Sequence, residues 1–128
     1  MNIIMGDINA QSLKEKYTVL RLDTFQIRGH IDPVTSYCVI EKMDLQDLTK
    51  AQMWSDLHEN LMINYGRQNW SYCEQAIEHL RGKWQGELDS FYDDLLSRID
   101  SLKGNDPNTD WTPIIDRVGT DVGSANVS

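Results

Sequence analysis

Several residue types and patterns that mark common protein classes are scarce in this chain of 128 residues. It has two cysteines, three prolines and two phenylalanines, and 20 acidic side chains outnumber 12 basic ones. A net charge of −8 argues against nucleic acid as a partner, because such binding depends on clustered Lys and Arg that release counterions. No run approaches the ~20 apolar residues of a membrane-spanning helix, and the uncharged start Met1–Met5 is too short for a secretory signal. We therefore expect a small cytoplasmic protein that binds neither nucleic acid nor membrane.

The two cysteines also give little sign of chemistry. Cys38 and Cys73 lie among apolar residues and lack CxxC spacing. Two buried free thiols in a reducing compartment are the favoured interpretation, and a structural disulfide is the alternative.

Motifs for catalysis and metal binding are missing as well. His30, His58 and His79 show neither HxxxH nor HExxH spacing, so each is interpreted as a surface or partly packed histidine. The chain has no glycine-rich phosphate loop, and its helical serines have no base implied nearby. We therefore expect no metal, no cofactor and no enzymatic activity.

The first third of the chain favours β-structure. The apolar and β-branched patterns predict, in order, a strand over 2–5, a helix over 8–16, and two strands, Tyr17–Arg28 and Val34–Met43. Turn residues at 29–33 join the last two segments into a β-hairpin.

The first hairpin strand changes its apolar phase along its length. Leu20 and Leu22 occupy even-numbered positions, whereas Phe25 and Ile27 occupy odd-numbered ones, so a regular strand would point the two pairs to opposite faces. One extra residue in the strand restores a single buried face, so the sequence predicts a β-bulge near Asp23-Thr24.

Residues 44–102 favour three helices. A capping box at Thr49–Gln52 predicts where the first helix begins. Asn69 is placed to cap the second helix, which Gly82 ends. A third helix is predicted from about residue 87 to residue 102 by its apolar stripe.

Together these elements predict an α+β fold. A short strand–helix–β-hairpin unit over 1–43 is expected to pack on an antiparallel, tetratricopeptide-like bundle of three helices over 44–102, giving one domain over 1–102. Residues 103–128 have the composition of a tail, yet they contain an apolar centre with Trp111, so a docked and a free tail are both open.

The order of the pieces is similar to part of a known family. Leu20–Gly29 followed by Asp32–Val39 resembles the terminal hairpin of class III adenylate and guanylate cyclases, which has a leucine-aspartate strand, a lysine-glycine or arginine-glycine turn and a proline-valine return strand. Tyr65–Trp70 and the helical positions after it look like the tetratricopeptide-like extension that follows many bacterial cyclase domains. The resemblance covers roughly residues 3–102.

The resemblance implies a fragment without the catalytic half. The family's two metal-binding aspartates and its asparagine-arginine pair lie before the hairpin that this chain matches. Among the family's functional positions, Arg28 corresponds to a turn lysine that lies near nucleotide phosphates in some members. One cation without the metal aspartates does not supply catalysis.

Two functions are compatible with these observations. The first is a non-catalytic protein–protein interaction or regulatory module related to a truncated cyclase. The alternative is a structural or assembly protein, for example one encoded by a bacteriophage, that forms homo-oligomers through the hairpin edge at Tyr17–Arg28. The candidate protein-binding residues are Arg28, Tyr65, Arg67, Trp84 and Trp111, although the tryptophans also suit core packing.

Overall fold

The fold is taken from a computed structural model of the chain. It describes residues 1–6, 16–42, 48–104 and 111–117. The elements in chain order are β1 (Ile3–Met5), β2 (Tyr17–Ile27), β3 (Val34–Glu41), α1 (Leu48–Gly66), α2 (Trp70–Leu80), α3 (Asp89–Gly104) and β4 (Ile115–Arg117). The predicted α+β class is confirmed, with a strand and hairpin unit packed on three helices. The helix predicted over 8–16 lies outside the described residues.

Four strands form one sheet in the order β1-β3-β2-β4. β3 lies between β1 and β2 and is antiparallel to both, whereas β4 runs parallel to β2. The hairpin turn starts at Arg28, because β2 ends at Ile27 and β3 begins at Val34. Gly29 takes a φ of 91° there, a conformation that glycine adopts without steric cost.

The predicted bulge is present in β2. Arg21 pairs with Tyr37 and Thr24 pairs with Thr35, so two residues of β2 oppose Ser36 alone. The Ser36 hydroxyl donates to the carbonyl oxygen of Asp23 at 3.1 Å. This hydrogen bond joins the two strands at the position where the register shifts.

The helices follow their predicted stripes, with two differences at their starts. α1 already includes Leu48, so Thr49 lies inside the helix and the predicted capping box is wrong. Asn69 stands at the N-cap of α2, but its side chain makes no capping bond and instead donates to Asn64 Oδ1 at 3.1 Å. Both differences arise because a cap depends on local side-chain geometry that a motif does not fix.

One apolar core joins the sheet to the helices. The largest fully buried side chains include Leu20 from β2, Leu61 from α1, Ile77 from α2 and Leu95 from α3. Cys38 and Cys73 are buried in the same core with free thiols, as predicted. No helix in the described ranges combines the length and the apolar character needed to cross a membrane.

Candidate functional site

The five predicted contact residues do not form one surface. Arg28 lies exposed in the hairpin turn, and Arg67 is exposed directly after α1. Trp84 is buried between α2 and α3, and Tyr65 is buried in α1. Trp111 is half-buried against the core. Tyr65 and Trp84 are therefore corrected as contact residues, because burial removes their side chains from any partner.

The structure does bring Tyr65 and Trp111 together. Their ring centroids lie 5.6 Å apart, edge to face, and Trp70 completes a triangle at 5.9 Å from Tyr65 and 5.6 Å from Trp111. Edge-to-face contacts at this distance are favourable between aromatic rings. The cluster fastens the segment before β4 to the end of α1 and the start of α2, which is a packing role.

A buried polar network joins β2, α1, α3 and the connection between α2 and α3. The two ring nitrogens of His58 lie 2.6 Å from the carbonyl oxygen of Arg21 (Nε2) and 2.9 Å from the Tyr92 hydroxyl (Nδ1). Because a carbonyl only accepts, Nε2 carries the proton, and Tyr92 then donates to Nδ1. Trp84 Nε1 donates to the Tyr92 oxygen at 3.1 Å. Every polar side-chain atom in the network therefore has a partner.

Burial keeps this network uncharged. It lowers the pKa of His58 and raises the pKa of Tyr92. His58 is fully buried, so the expectation that it lies at the surface or is partly packed was wrong. A neutral, fully hydrogen-bonded histidine that closes a strand carbonyl has a structural role.

A second polar connection ties the bulge to α3. The Arg98 guanidinium donates from Nη1 and Nη2 to the two carboxylate oxygens of Asp23, each at 2.9 Å. Arg98 also donates to Asp94 one turn earlier on the helix, at 2.6 Å. Since both carboxylate oxygens of Asp23 accept from the Arg98 guanidinium, this acid is not left as a free charge beside the sheet.

The backbone of β1 presents hydrogen-bonding groups to the outside of the sheet. The backbone N–H of Val39 donates to the carbonyl oxygen of Asn2, and the N–H of Gly6 donates to the carbonyl oxygen of Thr35, each at 3.0 Å. In an antiparallel ladder, alternate residues bond the neighbouring strand, so Asn2, Ile4 and Gly6 bond towards β3. The N–H and C=O groups of Ile3 and Met5 consequently point away from β3. We call these outward groups the β1 edge.

The side chains at the same positions are apolar and exposed. Met1, Ile3 and Met5 are 43%, 51% and 49% exposed, and we call these three side chains the apolar patch. Ile3 and Met5 stand opposite Cys38 and Ser36, which are buried under the helices. Directly opposite residues share a face. The patch is therefore a continuation of the core-facing side of the sheet beyond its helical cover.

A groove of about 230 Å³ runs between this patch and α3. Its far wall contains Phe91 from α3, and its base contains Leu22 and Phe25 from β2. Among the described residues, two acids lie nearby and each has a cationic partner: Asp23 binds Arg98, and Glu87 binds the Met1 amino group at 3.1 Å. The groove therefore suits an uncharged, apolar ligand.

Part of the outer edge of β2, on the other side of the sheet, is covered. The Lys42 N–H donates to the Lys16 carbonyl oxygen, so the backbone N–H and C=O groups of Tyr17, Val19 and Arg21 point away from β3. His58 of α1 binds the outward carbonyl of Arg21. Further along β2, Phe25–Ile27 pairs with β4, so the strand expected to form an open edge is not the edge there. β4, which lies outermost on that side, has the sequence Ile-Asp-Arg.

The sequence held one signal for the β1 edge. Residues 1–6 contain no charged side chain in a chain of net charge −8, and an uncharged apolar strand is unusual at a sheet edge. What the sequence did not give was the strand order that places β1 outermost. Among the residues described, no three His, Cys, Asp or Glu side chains are arranged to hold a metal.

Comparison with protein family models, with curated proteins and with solved structures finds no match for this chain.

Proposed function

We propose that this chain is a non-catalytic protein-binding module that takes up a short, uncharged strand along the β1 edge. The carrying observation is the coincidence of two features on Ile3 and Met5, which present outward backbone groups and half-exposed apolar side chains at the same positions. Strand addition uses this combination, because main-chain hydrogen bonds supply affinity and alternate side chains supply selectivity.

The groove supports the chemistry of this ligand. Alternate side chains of an added strand would lie on the same face as Ile3 and Met5 and would extend the apolar surface that these two residues share with Phe91 in the groove. A charged side chain entering there would lose water without gaining a free counter-charge, since Arg98 already binds Asp23. An apolar strand is favoured for this reason.

The wider setting of this function is also a proposal. The two buried free thiols support a reducing, cytoplasmic location. The relation to a truncated cyclase stays a prediction that rests on the β2–β3 hairpin and the helices after it.

Peptide binding tests the proposed function. A labelled, end-capped peptide of about six alternating Val and Thr residues is titrated with the protein and followed by fluorescence anisotropy. We expect saturable binding to the wild type and at least about tenfold weaker binding to the Ile3→Lys/Met5→Lys variant, which adds desolvated charge to the apolar patch.

Two controls make the result specific. Ile31→Lys introduces one lysine charge at a hairpin-turn residue that is 95% exposed and should bind the peptide like the wild type. A peptide N-methylated at every residue lacks donors on both of its edges and should not bind. Equal binding of the Ile3→Lys/Met5→Lys variant and the wild type would contradict the proposal.

A further inference from the structure

We infer that the strand bound at the β1 edge is β1 of a second copy of this chain, so that the protein forms a symmetric dimer with one continuous sheet. This inference rests on the proposed function and names the partner of that same site.

The first argument is the register of β1. Its outward groups belong to Ile3 and Met5, with Ile4 midway between them. Two antiparallel copies related by a two-fold axis at Ile4 place Ile3 of one copy opposite Met5 of the second copy, and the reverse. Each such pair is of the type that exchanges both N–H···O bonds, so the edge is complementary to itself.

The second argument is the position of the side chains. A two-fold axis perpendicular to the sheet leaves both copies with the same face towards the helices. The two apolar patches then meet side by side, and the half-exposed Ile3 and Met5 side chains of both copies cover one another. The dimer thus buries apolar area that each copy leaves in water.

The third argument is charge. The chain carries a net charge of −8, so two copies repel each other over most of their surfaces. Residues 1–6 have no charged side chain, and the two described acids beside the groove, Asp23 and Glu87, each have a cationic partner. Among the residues that the structure describes, the β1 edge is therefore a place where two copies approach without bringing unpaired carboxylates together.

A charge-exchange experiment on the full chain tests both partner and register. Sedimentation velocity should show the wild type shifting with concentration from 14.8 kDa towards twice that mass. Ile3→Lys/Met5→Lys and Ile3→Glu/Met5→Glu should each raise the dimer dissociation constant by at least about tenfold, because like charges then lie opposite one another. An equimolar mixture of the two variants should restore dimers, and Ile31→Lys should dimerise like the wild type.

Amide hydrogen exchange separates the failure of this inference from the failure of the proposed function. In the wild type, protection of the Ile3 and Met5 amides should rise with protein concentration, while Ile4, which bonds β3, stays protected throughout. A monomer at every concentration with unprotected Ile3 and Met5 amides would overturn the dimer and leave the edge free for another protein. Protection of the same amides in a monomer would overturn both, since the chain would then cover its own edge.

Discussion

Protonation of the buried His58 should couple the stability of this protein to pH near neutrality. Burial lowers its pKa from 6.5, and the Arg21 guanidinium acts in the same direction, against the hydrogen bond to the Arg21 carbonyl and the Glu59 carboxylate. His58 in the unfolded chain therefore binds a proton near pH 6.5, whereas His58 in the folded chain stays neutral at that pH. Stability from this residue is fully present above pH 6.5 and falls as the pH drops below it.

The size of the effect follows from linkage. One proton taken up on unfolding gives a slope of about 1.4 kcal/mol per pH unit. Between about pH 7.5 and about pH 5.5, with an unfolded pKa of 6.5, the free energy of unfolding should fall by up to about 1.4 kcal/mol because of His58. This window lies above the range in which ordinary carboxylates titrate, so few other groups contribute.

Urea denaturation of the wild type and of His58→Gln across this window measures the effect. Gln does not titrate, and its amide retains a donor for the Arg21 carbonyl. The wild type should lose about 1 kcal/mol more than the variant on acidification, whereas His79→Gln, at an exposed position on α2, should follow the wild type. Parallel pH profiles for the wild type and His58→Gln would refute the assignment of His58 as a buried neutral group.

Three further predictions follow from other contacts. Trp111→Ala removes two edge-to-face ring contacts and should lower the free energy of unfolding by about 2–3 kcal/mol, with faster amide exchange in β4; unchanged exchange there would contradict the fastening role. Arg98→Met leaves the half-buried Asp23 carboxylate without its bidentate partner and should cost about 2–4 kcal/mol in urea denaturation, whereas a loss below about 0.5 kcal/mol would show that solvent replaces the pair. Burial raises the pKa of both the Cys38 and the Cys73 thiols to about 11, so a disulfide-exchange reagent at pH 8 should label them only after unfolding, and rapid labelling of the native protein would refute their burial.

Local sequence patterns predicted the parts of the fold that depend on local periodicity. The parity change between Leu22 and Phe25 located the bulge, because a strand must keep one face buried and an extra residue is the simplest way to do so. The apolar stripes predicted the ends of α2 and α3 to within about two residues, because a helix too must keep one face buried.

Features that depend on distant contacts were not predicted. The role of His58 depends on Arg21 and Tyr92, which come from different elements, so its neighbours along the chain give no sign that it is buried. The pairing of β4 with β2 likewise depends on the docking of Trp111 between Tyr65 and Trp70. Tertiary contacts of this kind override the expectation that polar residues such as histidine lie at the surface.

The candidate site was missed for a topological reason. The sequence predicted a strand at residues 2–5 but gave no order of strands, and Tyr17–Arg28 was taken as a candidate unprotected edge. In the structure β4 pairs with Phe25–Ile27 of that strand and α1 binds its Arg21 carbonyl, and the three-residue β1 lies outermost on the other side of the sheet. Aromatic side chains are enriched in binding interfaces, and for this reason Tyr65 and Trp84 were predicted as contact residues. Both are buried in the core.

The shortness of β1 determines what kind of assembly this edge supports. An open edge is a hazard when pairing leaves another edge to continue the sheet. Two copies joined at β1 consume both β1 edges, and the outermost strand of each is then β4, whose sequence includes Asp116 and Arg117. A two-fold contact that uses the same patch on both copies also closes on itself. The proposed dimer is therefore a closed pair, whereas head-to-tail addition through two different edges would leave an open edge at each end of the assembly.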